Sequence, residues 1–275
     1  MPPAPEPARA DPVISVRDVT VSYNGRRVLD GINLDILRGE TMVLLGGSGS
    51  GKSTLLRQII GLERPQSGEV LVNGVDLAKC TARELKSVRR SIGMAFQNSA
   101  LFNSMSVEDN VALPLREHTR LAESTIRLMT WMKLAVVGLA EFGKLSPQAL
   151  SGGMKKRAAV ARALSLDPEL LVFDEPSAGL DPIVAAELDQ LILGLKRAFN
   201  MTVVVVTHEM ESAFRIADRM AMLYRGSLIA VGTKEELRSN PHPRIRQFFD
   251  RVPDNIADAA AVDKYLQRYL EGDPQ

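Results

Sequence analysis

Residues 46–54 read "GGSGSGKST"; the apolar run "ETMVLL" (40–45) precedes them and the helical "LLRQIIGL" (55–62) follows. Strand, glycine-rich turn and helix in this order make a cradle for phosphate. Glycines let the backbone curl so that successive N–H groups point inward, and the helix N-terminus adds its partial positive charge. The spacing G-x-x-x-x-G-K-S runs from Gly46 to Ser53. Lys52 supplies a cation for β- and γ-phosphates, and the Ser53 hydroxyl is a ligand for Mg²⁺.

Further along, "LLVF" (170–173) and "TVVVVT" (202–207) are two more apolar runs of strand length. Between them Asp181-Pro182 gives an N-cap and a first-turn proline. The helix behind them sets Ile183, Leu188, Leu191, Ile192, Leu195 and Phe199 on one apolar face. Near-continuous apolar strands alternating with helices predict an α/β chain whose parallel sheet is covered on both sides. The strand at 170–173 ends on Asp174 and Glu175. Asp174 suits a Mg²⁺ shell, and Glu175 suits a base acting on an attacking water. "TVVVVTHEM" (202–210) brings His208 to the C-terminal edge of that sheet, where ligands bind. There it is within reach of a γ-phosphate or the water. Three histidines and one cysteine are too scattered for a zinc motif.

On the N-terminal side, "VISVRDVTVSY" (13–23) and "VLDGINLDIL" (28–37) alternate apolar and polar residues around Asn24-Gly25, which predicts a β-hairpin. "GEVLVNGVDL" (68–77) offers another short β segment, and Thr81 with Glu84 predicts a capping box for a helix through Arg90. "SIGMAFQ" (91–97) reads as a strand ending at Gln97, followed by helical chain to about Lys144. In that stretch Ser106 and Asp109 form a second capping box, Glu108 and Asp109 suit the helix dipole, and Pro114 is expected to kink or divide the helix. The β-rich start and the helical stretch read as additions to the parallel core. There is no internal repeat.

The chain has 275 residues, 45% hydrophobic and 24% charged, as a packed globular core requires. A net charge of +1 gives no broad attraction to nucleic acid. The single cysteine, Cys80, excludes a disulfide within the chain and fits a reducing compartment. "MPPAPEPARADP" (1–12) reads as a disordered leader, and no apolar run nears the roughly 18 residues of a membrane span.

"LSGGMKKRAAVARAL" (150–164) opens a helix on Ser151, Gly152 and Gly153, a second anion-receiving N-terminus. One site needs one phosphate loop, so a second points to two subunits that complete each other's sites. Together with the phosphate loop, Gln97, "FDEP" (173–176), "SAGLD" (177–181) and His208 in this order, it resembles the nucleotide-binding subunits of ABC transporters over roughly residues 13–237.

That resemblance implies a P-loop NTPase of ABC type, with a parallel-sheet core, an antiparallel β subdomain and a helical subdomain near 98–150. The whole domain would span 13–250. It implies ATP and Mg²⁺ as ligands and ATP hydrolysis as the reaction. Tyr23 matches the aromatic that stacks on adenine. Gly46, Gly47, Ser48, Gly49, Ser50, Gly51, Lys52, Ser53 and Thr54 match the triphosphate loop. Ser53, Gln97 and Asp174 match the Mg²⁺ shell, Glu175 the catalytic carboxylate and His208 the switch histidine. Ser151, Gly152 and Gly153 match the contact to the partner protomer's γ-phosphate, and Asp181 the loop joining the two sites of a homodimer. Met154 and Lys155 depart from the usual Gln and polar or basic pair, although the glycine N–H donors remain.

"SGGMKKRA" (151–158), "ALFNSMSVEDNVALPLREHT" (100–119) and "NPHPRIRQFFD" (240–250) resemble the ATPase subunits of bacterial phospholipid transporters of the Mla and MCE systems. These imply a place at the cytoplasmic face of the bacterial inner membrane. The implied partners are a transmembrane permease, an MCE-domain lipid-binding protein and a small cytoplasmic accessory subunit, with no nucleic acid. Residues 101–119 are then expected to dock the permease through Arg116, Glu117 and His118. Alternatives are a different permease, or a cell-division or signalling membrane complex. In the tail (251–275), "AAVDKYLQRYL" (260–270) reads as an amphipathic helix. It packs on its own domain, crosses to the other protomer or meets an accessory subunit.

Overall fold

A computed structural model describes residues 12–252. Residues 1–11 of the expected leader and the amphipathic helix at 260–270 therefore lie outside the described residues, while Pro12, read as the leader's last residue, is the first of a β-strand. By contacts the chain divides into a unit ending at Leu237 and a second beginning at Arg238.

The first unit opens with β1 (Pro12–Tyr23) and β2 (Arg26–Leu37), paired antiparallel from Pro12↔Leu37 to Tyr23↔Arg26. Asn24 and Gly25 both have positive φ, 50° and 77°, as the two-residue hairpin turn requires. The buried β3 (Thr41–Leu45) leads to α1 (Lys52–Ile59), then β4 (Ser67–Val72) and the two-residue β5 (Val75–Asp76). The helix α2 (Ala82–Arg90) starts on the expected Thr81–Glu84 capping box. It is followed by β6 (Ile92–Ala95), which ends two residues before Gln97, so Phe96 and Gln97 are loop rather than strand.

The expected helical stretch is two helices and two short 3₁₀ turns: α3 (Val107–His118), α4 (Glu123–Val136), Ala140–Phe142 and Pro147–Ala149. Pro114 does not divide α3, which runs through it to His118. At the start of α3 the capping box is half made. The Ser106 hydroxyl accepts from Asp109 N–H, but the Asp109 carboxylate takes the Ser106 hydroxyl. The remaining elements are α5 (Gly152–Ala163), β7 (Leu170–Asp174), α6 (Pro182–Phe199), β8 (Thr202–Val206), α7 (Met210–Ile216), β9 (Arg219–Tyr224), β10 (Ser227–Thr233) and α8 (Lys234–Ser239). On α6 the inward face holds Leu188, Ile192 and Leu195; the end residues Ile183 and Phe199 are exposed, because the core does not extend under either terminus.

Two sheets result. One is antiparallel, in the order β2-β1-β4-β5; the other runs β10-β9-β3-β8-β7-β6. Within the larger sheet, β6 to β9 and β3 are parallel and β10 is an antiparallel edge. One hydrophobic cluster joins the two sheets across α1, with Leu55, Leu56 and Ile59 fully buried in it. Each such side chain contributes about 1.5–3 kcal/mol by leaving water. A second, smaller cluster, Ala112, Leu115 and Ile126, holds α3 to α4. In the second unit α9 (Pro243–Phe249) is capped by His242, whose Nδ1 accepts the Arg244 N–H.

Candidate nucleotide site

Parallel pairing puts the C-terminal ends of β3, β6, β7 and β8 on one edge of the sheet, and the chemistry-bearing residues follow those ends. After β3 the chain curls through Gly46, Gly49 and Gly51, with φ of 148°, 73° and 106°. A Cβ on Gly46 would stand 2.4 Å from the Leu223 carbonyl oxygen, and one on Gly51 would stand 2.7 Å from Leu29 Cδ2. Glycine is thus required by both φ and space. Lys52 opens α1 and is buried; its Nζ donates to the carbonyls of Gly46 (2.7 Å) and Gly47 (3.0 Å). Burial pushes its pKa down, and the charges of Glu175 and Asp174 pull it back up.

The loop residues are not equivalent. Gly47, Ser48, Gly49 and Ser53 are exposed, whereas Ser50 and Thr54 turn inward. The Ser50 hydroxyl lies buried under Gly46 without a partner, so Ser50 offers a ligand its main chain.

At the end of β7, burial and then the neighbouring Glu175 charge push the Asp174 carboxyl above the usual aspartate range, and Lys52 opposes the shift. Glu175 follows with φ 47°, a left-handed backbone, and its N–H extends the ladder to the Val206 carbonyl (2.8 Å). His208 stands two residues beyond β8. Its Nδ1 is 2.9 Å from Glu175 Oε2, and its N–H donates to the same oxygen at 3.4 Å. The Gln97 side chain is exposed, just past β6.

Tyr23 is tied to the far end of α1. Its hydroxyl donates to Glu63, which also pairs with Arg57 (3.5 Å). That hydrogen bond, before burial and the Glu63 charge, raises the phenol pKa.

Ser151, Gly152, Gly153 and Asp181 gather elsewhere. Ser151 caps α5 by accepting from Met154 N–H, and Asp181 caps α6 by accepting from Ile183 (3.1 Å) and Val184 (3.0 Å). A Cβ on Gly153 would sit 2.4 Å from Val184 Cγ1, so α5 can lie this close to α6 only with glycine there. Among the described residues, no hydrogen bond or ion pair joins these four to the phosphate loop.

The family model for ABC transporters matches residues 29–178. The chain belongs to that family. It is 45% identical over 237 residues to the probable ribonucleotide transport ATP-binding protein mkl of Mycobacterium leprae, covering 86% of this chain and 68% of that one. It is 43% identical over 242 residues to the intermembrane phospholipid transport system ATP-binding protein MlaF of Escherichia coli, covering 88% and 90%. Among solved structures it resembles the dimeric post-hydrolysis ATP-binding cassette MJ0796 bound to ADP and Pi, with TM-score 0.74, 32% identity and coverage of 80% and 98%. It also resembles cbiO1 of Clostridium perfringens, with TM-score 0.77, 30% identity and coverage of 87% and 99%.

As an ABC ATPase the chain binds nucleotide and couples ATP hydrolysis to transport. One buried cation of this fold was not singled out by motif reading. Lys156 lies buried in α5, with its ammonium on the main chain of Gln97 and Glu175. A signal for it exists: Gly153, Lys156 and Val160 follow helical spacing, so a lysine falls on a buried stripe. Glu63, the partner of Tyr23, had no such signal.

A groove of about 790 Å³ separates the sheet edge from the helical subdomain, lined among others by Arg89, Phe96, Phe102, Pro114, His118 and Arg162. Phe96 and Phe102 are 40% and 52% exposed. Of the residues expected to dock a permease, His118 lines this groove. Arg116 instead bridges α3 to α4 through Asp109 (2.9 Å) and Glu123 (2.6 Å).

Proposed function

We propose that this chain is the ATP-hydrolysing subunit of a bacterial phospholipid transporter of the Mla type, working as a homodimer against a separate membrane permease. The observation that carries the lipid branch is the alignment to MlaF, which spans 90% of that protein's length, against 68% for the relative named for ribonucleotide transport. No helix among the described residues is long and apolar enough to cross a membrane. The membrane-spanning part is assigned to a permease, seated in the groove beside Phe96 and Phe102, with this chain at the cytoplasmic face of the inner membrane. An MCE-domain lipid-binding protein and a small accessory subunit complete the proposed assembly.

The residues at the strand ends fit Mg²⁺-ATP. Among the described residues no group of three His, Cys, Asp or Glu could hold a metal alone. Mg²⁺ bound with phosphates needs less, since one or two carboxylates plus phosphate oxygens suffice. Asp174, Ser53 and Gln97 would hold it, and when bound it offsets the charge on the phosphates. Lys52 and the N–H groups of Gly47 to Ser53 grip the triphosphate, and Tyr23 supports adenine. Glu175 orients and deprotonates the attacking water, and catalysis is otherwise positioning and charge stabilisation. Nδ1 of His208 faces a carboxylate and so bears the proton. Nε2 then serves the water or, when the ring is charged, a phosphate oxygen. Ser151, Gly152 and Gly153 would receive the partner's γ-phosphate, and Asp181 would hold the adjacent loop. That the hydrogen bonds of Ser151 and Asp181 and the close contact of Gly153 are made to α5 and α6 rather than to their own phosphate loop supports that division of labour.

The test is to purify the Glu175→Gln variant with ATP from detergent-solubilised native membranes and to identify partners by mass spectrometry. A multi-span permease with an MCE-domain protein and co-purifying phospholipid is expected. A permease with another substrate-binding protein, or a cell-wall enzyme activator, would keep the ATPase and overturn the lipid.

A further inference from the structure

Lys156 is 9% exposed, yet among the described residues its ammonium meets no carboxylate within hydrogen-bond distance. Nζ donates to two main-chain oxygens instead, Gln97 at 2.6 Å and Glu175 at 3.1 Å. Burial lowers its pKa, and the charges of Glu175 and Asp174 partly restore it. A lysine reaches two carbonyls because three donors share one compact nitrogen on a flexible stem. The same helix grips the loop after Gln97 a second time: Arg162 donates to the carbonyls of Ala100 (2.7 Å) and Ser99 (2.9 Å).

The gripped main chain is unusual. Ser99, Ala100 and Glu175 have φ of 59°, 48° and 47°, a region that L side chains occupy only when surroundings hold them there. The loop also faces the groove, since Phe96, Ala100 and Phe102 line it. The segment carrying Gln97, the residue carrying the carboxylate and the helix that begins at Ser151–Gly153 thus meet at one ammonium.

We propose that Lys156 is a positioning residue that fastens the Gln97 loop and Glu175 to α5, so that the groove, the water-activating carboxylate and the partner-facing glycines move as one piece. This rests on the role of Glu175 proposed above. A shift of the loop by an occupant of the groove reaches Glu175 through Lys156, and without the ammonium the carboxylate keeps its chemistry but loses its place.

The test uses the full chain, with ATP hydrolysis measured against both ATP and Mg²⁺ and ATP affinity measured separately. Lys156→Met keeps the stem and removes every donor; Lys156→Gln returns one neutral donor group. Expected for Lys156→Met is a fall in kcat of about a hundredfold, the usual cost of misplacing a reacting group, with unchanged ATP affinity and a Mg²⁺ activation curve moved to higher concentration. Lys156→Gln should recover part of kcat. A wild-type kcat in Lys156→Met overturns the proposal. So does a parallel fall of kcat, ATP affinity and Tm in both variants, which marks a role in folding alone. Should Lys156→Met not fold, Lys156→Gln decides: wild-type kcat and Mg²⁺ curve overturn the proposal, and lower kcat at unchanged ATP affinity supports it. Glu175→Gln is assayed alongside. Hydrolysis there at the wild-type rate sinks the reading of Glu175 itself. An inactive Glu175→Gln beside a fully active Lys156→Met sinks only the role of Lys156.

Discussion

His208 Nδ1 and Glu175 Oε2 lie 2.9 Å apart, at the ends of two adjacent parallel strands. The pairing gives the carboxylate one fixed direction, and it gives the imidazole one tautomer.

Removing either member has a distinct outcome. Glu175→Gln keeps the shape and loses the proposed base, so kcat should fall at least about a thousandfold, near 4 kcal/mol, while ATP still binds. His208→Ala leaves the base without its orienting partner and should cost about a hundredfold in kcat. Steady-state hydrolysis with equilibrium ATP binding checks both, and an equal loss of ATP affinity in either would contradict the assignment.

Gly152 and Gly153 are adjacent and should fail differently. A Cβ on Gly152 meets nothing nearer than Leu180 Cδ2 at 3.5 Å, whereas one on Gly153 runs into Val184 Cγ1 at 2.4 Å. Gly153→Ala should therefore destabilise the fold by about 1–3 kcal/mol, and Val184→Ala should relieve part of it. Gly152→Ala should keep its Tm and lose ATP-driven dimerisation, because the clash then arises only with a partner's nucleotide. Thermal melts and sedimentation with Mg²⁺-ATP separate the two.

Asp174 links stability to acid. Its folded pKa is raised by burial and by Glu175, so the folded state binds this proton more tightly than the unfolded chain does. The charged carboxylate opposes folding above that raised pKa, and the opposition fades as pH falls through it. Asp174→Asn should raise Tm at neutral pH while abolishing Mg²⁺-dependent hydrolysis. In the wild type the Mg²⁺ requirement should climb on acidification sooner than for an ordinary aspartate. A Tm unchanged by Asp174→Asn at every pH would refute the burial cost.

What was legible in the sequence was legible for local reasons. The hairpin at Asn24-Gly25 and the Thr81–Glu84 cap depend on residues within a few positions of each other. Of the two outcomes expected at Pro114, division of the helix does not occur; that expectation judges a proline inside a helix by local propensity. In the fold, the packed face of Val107, Val111 and Leu115, all buried, carries α3 past it. Ser106 and Asp109 misled on a finer scale, since Arg116 from the next turns also claims the carboxylate.

The sequence by itself determined the phosphate loop, the acidic pair, the alternation of strands and helices as far as β8 and the family, because each is written in short runs of contiguous residues; β9 and β10 were not read from it. Only the tertiary structure decided that Ser50 faces inward, that Arg116 bridges two helices and that His208 meets Glu175. It also brought Lys156 to the main chain of residues 59 and 19 positions away. Such contacts join strand ends and helix faces distant in the chain, and their geometry exists only once the sheet has set its register.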